Sequence, residues 1–206
     1  MRSFIRSAQS LSILALTVAL AAGPAIAALR VGQPAPAFSV SDTSGKVWTL
    51  ETLAGRPAIL EWTNHDCPFV VKHYGAGNMQ ALQAEAKDAG YVWLSVVSSA
   101  PGKQGHVSPS EADDLTQRRS AVPTAVLLDS DGVMGRTYGA MTTPHMYVID
   151  AGGTLAYMGG IDDRPTTNPA DIQGATNHVR AAMTDLAAGQ AVGTPLTRPY
   201  GCSVKY

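Results

Sequence analysis

The chain has 206 residues, of which 45% are apolar and 15% charged, with 15 Lys and Arg set against 16 Asp and Glu. That composition suits one domain with a real hydrophobic core and excludes a disordered polyelectrolyte. A near-neutral chain with no basic cluster also argues against nucleic acid and anionic membrane surfaces as partners.

Arg2 and Arg6 open the chain, ahead of an apolar run over 11–22 that Gly23-Pro24 ends and Ala25-Ile26-Ala27 follows. A short basic region, a brief apolar stretch and a small-x-small pattern together predict a signal peptide over 1–27. The run is too short for a comfortable membrane span. With no Cys at the cleavage point and no Arg-Arg pair, the general secretory route is favoured over a lipid anchor or twin-arginine export. The expected mature chain is 28–206, 179 residues with a net charge of about −3, located in the periplasm and free of the membrane after cleavage.

Residues 28–37 are rich in Pro and Gly and read as a lead-in loop. Two short strands around the turn at 43–46 should follow, forming an N-terminal hairpin. The apolar run 58–63 suits a buried strand, and 64–68 (Asn-His-Asp-Cys-Pro) leads from it into a helix. Gly75 and Gly77 interrupt that helix before strong helix formers continue it over 79–87. A second buried strand is expected over 91–97, and a polar Gly/Pro-rich loop over 98–109. A short helix then runs from Glu111 to about Arg119, with Ser108 or Ser110 as its cap. Strand 123–129, a turn at Asp131-Gly132 and a short helix over 133–138 come next. Strand 146–150 turns at Gly152-Gly153 into its hairpin partner, 154–159. A last helix is predicted over 169–188, and the tail from 193 carries too little pattern to place. Strands alternating with helices in this order predict an α/β domain, a mixed central sheet covered by helices.

Only two cysteines occur, Cys67 and Cys202. Cys67 precedes Pro68, and Pro is favoured at the first position of a helix, where its missing N–H costs nothing. Cys67 would then be the helix N-cap, its sulfur facing unpaired N–H groups and the positive end of the helix dipole, both of which favour the thiolate. His65 could lower the thiol pKa further when protonated, and Asp66 would oppose it. Arg56 and Arg136 are candidate cations for the same thiolate. Cys202 lies 135 residues downstream. It could resolve an oxidised Cys67, tie the tail down as a permanent disulfide, or never meet it.

The stretch 61–69 (Glu-Trp-Thr-Asn-His-Asp-Cys-Pro-Phe) resembles the strand, loop and active-site Cys of the thioredoxin superfamily. Thr143-Pro144, just before Met146-Tyr-Val-Ile-Asp, is similar to its cis-proline loop. The run 127–139 and the ending Tyr200-Gly-Cys-Ser-Val-Lys-Tyr resemble the peroxiredoxin-like branch, of redoxin or AhpC/TSA type. The resemblance covers about residue 30 to the C-terminus and implies a thioredoxin-like fold. It further implies an exported thiol-dependent oxidoreductase in which Cys67 attacks a peroxide or a disulfide and Cys202 is the second redox thiol. Thr143 and Pro144 would shape the substrate site, with Thr63 and His65 beside it. An external thiol reductant is the implied partner, with no metal and no other cofactor. The pattern departs from both parents. Val70 stands where a disulfide oxidoreductase has its second Cys, and Leu60 and Asn64 stand where a peroxiredoxin has Pro and Thr. Two alternatives remain at this level: a binding or redox-sensing module with a structural Cys67–Cys202 disulfide, and a copper-handling protein using Cys67, His65 and His145.

Overall fold

The computed structural model describes Met1 and residues 29–206. The expected signal peptide, 1–27, thus falls almost wholly outside the described residues. A hairpin of β1 (Ser39–Ser41) and β2 (Val47–Thr49) comes first. Asp42 builds its turn, accepting from the Ser44 and Lys46 N–H groups with one oxygen and from the Trp48 indole with the other. The main sheet has five strands: β3 (Ala58–Trp62), β4 (Val92–Val97), β5 (Ala125–Leu128), β7 (His145–Ile149) and β8 (Leu155–Gly159). Their order across the sheet is β5-β4-β3-β7-β8. β5, β4 and β3 run parallel, β7 is antiparallel to β3, and β8 is antiparallel to β7.

The three central strands are buried at every position, as suits their mainly apolar runs, and each also buries one polar residue, Glu61, Ser95 or His145. One face carries Leu60, Trp62, Leu94, Val96 and Tyr147 against Phe38, Trp48 and α4 (Val133–Thr137). The other packs Ile59, Trp93, Met146 and Val148 under α1 (Pro68–Gly75), α2 (Asn78–Asp88) and α5 (His178–Ala187). α3 (Pro109–Arg118) covers β5, and of its two candidate caps Ser108 is the one used. Ser108 Oγ accepts from the Glu111 N–H, and the Glu111 carboxylate accepts from the Ser108 N–H at 2.7 Å, a reciprocal capping box. Among the described residues no helix is long and apolar enough to cross a membrane.

The helix expected over 169–188 is split. A 3-10 turn, Pro169–Ile172, is followed by Gly174 at φ +81°, and α5 starts at His178 behind Asn177, whose side chain accepts from the Arg180 N–H. A left-handed glycine and a fresh N-cap interrupt the helical hydrogen bonds more effectively than the flanking helix formers can extend them. The tail, which the sequence leaves unplaced, forms β9 (Cys202–Ser203) against β6 (Thr142–Thr143).

Candidate active site

β3 and β7 are neighbours in register, with Trp62 opposite His145. The segment leaving β3, which holds Cys67, therefore emerges at the same end of the sheet as Thr143 and Pro144, which enter β7. Cys67 caps α1 in an extended conformation with Pro68 as the first helical residue. Its side chain has no exposed surface. The thiol donates to the Thr143 carbonyl at 3.0 Å, and the Cys202 N–H donates to the sulfur at 3.4 Å. Burial alone would raise the thiol pKa. The Cys202 thiol, the Val70 N–H, the Thr143 hydroxyl and the Cys202 N–H outweigh it, and they hold Cys67 below its ordinary value.

The Thr143–Pro144 bond is cis. Thr143 pairs directly with Cys202 across β6 and β9, which sets the two cysteines side by side with both thiols free. Gly201 makes this approach feasible: its φ is +134°, and a Cβ there would lie 2.0 Å from the Thr143 carbonyl oxygen. Cys202 is partly exposed. Burial and the neighbouring Cys67 push its pKa up to about 11. The donors around Cys67 favour its ionisation over that of Cys202.

The tail is fastened on both sides of Cys202. Upstream, the Tyr200 hydroxyl donates to Asp162 and lies 3.2 Å from His73 Nε2. Asn78 donates to His73 Nδ1 at 2.8 Å, which leaves the proton of the neutral ring on Nε2, facing Tyr200. Burial depresses the His73 pKa to about 4, against the pull of Asp162. Lys72 is buried beside them, donating to the Arg164 carbonyl at 2.9 Å with Asp162 at 4.0 Å. Downstream, the Tyr206 hydroxyl donates to the Ala140 carbonyl at 2.7 Å, and its ring lies under the Arg136 guanidinium. Gly135 leaves room for that ring, since a Cβ there would sit 2.5 Å from the Tyr206 hydroxyl.

The structure thus gathers Cys67, Thr143, Pro144 and Cys202. It places Thr63 and His65 elsewhere, on a cavity of about 40 Å³ shared with Tyr74, Ser95, Leu115 and Arg119. Among the described residues the buried Thr63 hydroxyl has no hydrogen-bond partner, and His65 pairs with Asp66 at 3.3 Å. Asn64 braces the loop, its side chain accepting from the Asp66 N–H and donating to the Gln104 carbonyl. Neither arginine serves the thiolate: Arg136 holds Tyr206, and Arg56 donates to the Thr52 carbonyl. His145 is buried against Tyr147, and burial lowers its pKa to about 4. No group of three or more His, Cys, Asp and Glu among the described residues is arranged to hold a metal.

Sequence reasoning missed Glu61 and the tail anchors. Glu61 is fully buried behind the site and accepts from the Tyr74 hydroxyl, the Trp93 indole and Ser95, with Gln83 at 3.4 Å. Burial raises its pKa despite these donors. Its signal was available: a carboxylate inside an apolar strand must be hydrogen-bonded or neutral. Lys72, His73, Asp162 and Tyr200 gave no such signal, because each looks like an ordinary polar surface residue until the fold buries it.

Comparison with known proteins follows the same lines. The AhpC/TSA family model matches residues 31–158, more than half of the chain. A search of curated proteins finds no match. Among solved structures, an uncharacterized conserved protein of Geobacillus kaustophilus is similar at 24% identity and a TM-score of 0.73, over 86% of this chain and 92% of that one. A hypothetical protein of Sinorhizobium meliloti is similar at 22% identity and 0.69, over 87% and 96%. A Chlorobium tepidum structure described as a thiol:disulfide interchange protein, DsbE, is similar at 23% identity and 0.54, over 76% and 99%. The mixed five-stranded sheet flanked by helices is a thioredoxin-like α/β fold.

Proposed function

The chain belongs to the AhpC/TSA family, and on that premise we propose that it is a thiol–disulfide oxidoreductase whose redox centre is the Cys67–Cys202 pair. The observation that carries this reading is the meeting of two cysteines 135 residues apart, with the Cys202 N–H 3.4 Å from the Cys67 sulfur. Cys67 supplies the stabilised thiolate and Cys202 the second sulfur. Oxidation joins them as a disulfide with loss of two electrons and two protons, and an external thiol reductant returns both. Sulfur carries the electrons, so the cycle calls for no metal, flavin or nucleotide. Thr143 and Pro144 form the wall beside the pair. The reading places the mature chain in the periplasm, after removal of 1–27.

A peroxide is the second substrate class the family brings. Cys67 would attack the O–O bond, releasing an alcohol or water, and Cys202 would displace water from the resulting sulfenic acid. Disulfides are favoured over peroxides because Asn64, standing where a peroxiredoxin has its threonine, spends its side chain on Asp66 and Gln104.

The test is a thiol count on native protein treated with diamide and then with dithiothreitol. Two thiols should disappear within a monomer and return without unfolding, and Cys67→Ser should form no intramolecular bridge and lose catalytic turnover of glutathione disulfide. Two thiols surviving diamide would sink the reading. A bridge that dithiothreitol opens only in denaturant would make it a structural staple. Peroxide consumption, measured on the same preparations, separates the two substrate classes.

A further inference from the structure

In the pair just proposed the more acidic thiol is the hidden one, and this bears on where an outside molecule makes contact. We propose that external thiols and disulfides exchange with this protein at the Cys202 sulfur, with Cys67 acting inside as leaving group and resolving thiol. The inference rests on the cycling-pair reading and reverses the division of labour that the sequence suggests.

Access is the first ground. Cys67 has no exposed surface and is covered by the Thr143 carbonyl and the Cys202 backbone. Cys202 lies on the two-residue strand β9, paired with β6, and keeps part of its surface in solvent. The cover is fastened, because Tyr200 is bonded to buried Asp162 and His73 while Tyr206 is bonded to the Ala140 carbonyl. Uncovering Cys67 would leave a buried Asp162–Lys72–His73 cluster short of a donor, whereas reaching Cys202 disturbs none of these contacts.

Leaving-group chemistry is the second ground. Exchange proceeds faster when the departing sulfur is the better-stabilised thiolate. Cys67 has the Val70 and Cys202 donors, and Cys202 is the weak acid of the two. In the oxidised protein an external thiolate attacks Cys202 Sγ and forms a mixed disulfide there. The Cys67–Cys202 bond breaks, and its electron pair leaves with Cys67 as the thiolate at the α1 cap. A second external thiol then attacks the external sulfur, expelling Cys202, which takes up a proton. One protein disulfide and two thiols become one protein dithiol and one external disulfide. By microscopic reversibility, a substrate disulfide enters through the same Cys202 adduct, which Cys67 resolves.

Glutathione tests this on the wild-type protein. Diamide-oxidised protein, whose loss of two thiols is confirmed first, is mixed briefly with glutathione and quenched in acid. Free thiols are then alkylated, and the peptides carrying Cys67 and Cys202 are compared by mass spectrometry. The expected result is glutathione on Cys202 with Cys67 alkylated, at least tenfold in excess of the reverse. Equal labelling, or an excess on Cys67, would overturn the assignment while leaving the redox pair intact. Failure of the first step, with two thiols still present after diamide, would overturn the pair itself.

Discussion

Cys67 and Cys202 are held in opposite ways. Cys67 is fixed by its own neighbours: Pro68 starts α1, Cys67 is its N-cap residue, and the side chain lies in the interior between the sheet and the helix without a capping hydrogen bond. Cys202 sits on a strip of tail with little secondary structure of its own, pressed into place by Gly201 on one side and by tyrosine hydroxyls at both ends. The Val70 N–H at the start of α1 is the local donor to the thiolate, while the tail adds the Cys202 donors and the partner sulfur. Loosening the tail should therefore damage the redox pair and uncover Cys67 while leaving α1 and the sheet largely intact.

The largest effect is expected from Gly201→Ala. The new Cβ would collide with the Thr143 carbonyl at 2.0 Å, both backbone-fixed, at a φ of +134° that alanine resists. Diamide-driven disulfide formation should slow by roughly a hundredfold, the equivalent of about 3 kcal/mol held against closure. Iodoacetamide should at the same time begin to label Cys67. Unchanged oxidation kinetics would show that the tail does not depend on this contact.

Tyr200→Phe is a gentler break. It removes the hydroxyl shared by Asp162 and His73 and leaves the ring, which packs edge-on against Phe69. A buried hydrogen bond to a charged group is worth about 1.5–3 kcal/mol. Cys67 alkylation should rise about tenfold or more, with a lower Tm, and Tyr206→Phe should give a smaller change of the same sign.

Titration of the thiolates by their ultraviolet absorbance sharpens the comparison without perturbing it. One thiol should ionise below the ordinary cysteine range and the second only towards about 11. In Cys202→Ala the first transition should move up, since the side-chain donor to Cys67 is lost. Two overlapping transitions near the ordinary value would mean that the sulfurs do not feel each other.

The smallest effect is on stability in acid. His145 and His73 are neutral when folded, with pKa values lowered to about 4 by burial. The unfolded chain takes up these protons near pH ~6.5 and the folded one does not, so stability should fall as pH drops from ~6.5 towards ~4 and level off below. Urea unfolding at pH ~7, ~5.5 and ~4.5 measures it, and His145→Gln should flatten the curve.

The sheet and the Cys67 site were legible because their signals are local. Apolar runs at 58–63 and 91–97 mark buried strands, Ser108 and Glu111 announce a capped helix, and Pro68 sets the register of the cap. Three things were not. Thr63 and His65 turn towards a separate cavity, since a side chain two or four residues from Cys67 has its direction set by packing rather than spacing. The helix expected to begin at Pro169 starts at His178, because a single left-handed glycine and an asparagine cap override a compatible composition. Lys72 and His73, which look like the exposed end of a helix, are buried under a loop and a tail nearly a hundred or more residues away.

From sequence alone followed the apolar strands, the helix starts and a thiolate-forming cysteine before proline, each governed by backbone hydrogen bonds and burial within a few residues. Tertiary structure alone decided that Cys202 pairs with Thr143, that buried Asp162 anchors Tyr200, and that the acidic thiol lies covered while the weaker acid meets solvent. Those outcomes depend on long-range strand pairing and on which charges lose their water when the tail closes, and neither leaves a periodic trace in the chain.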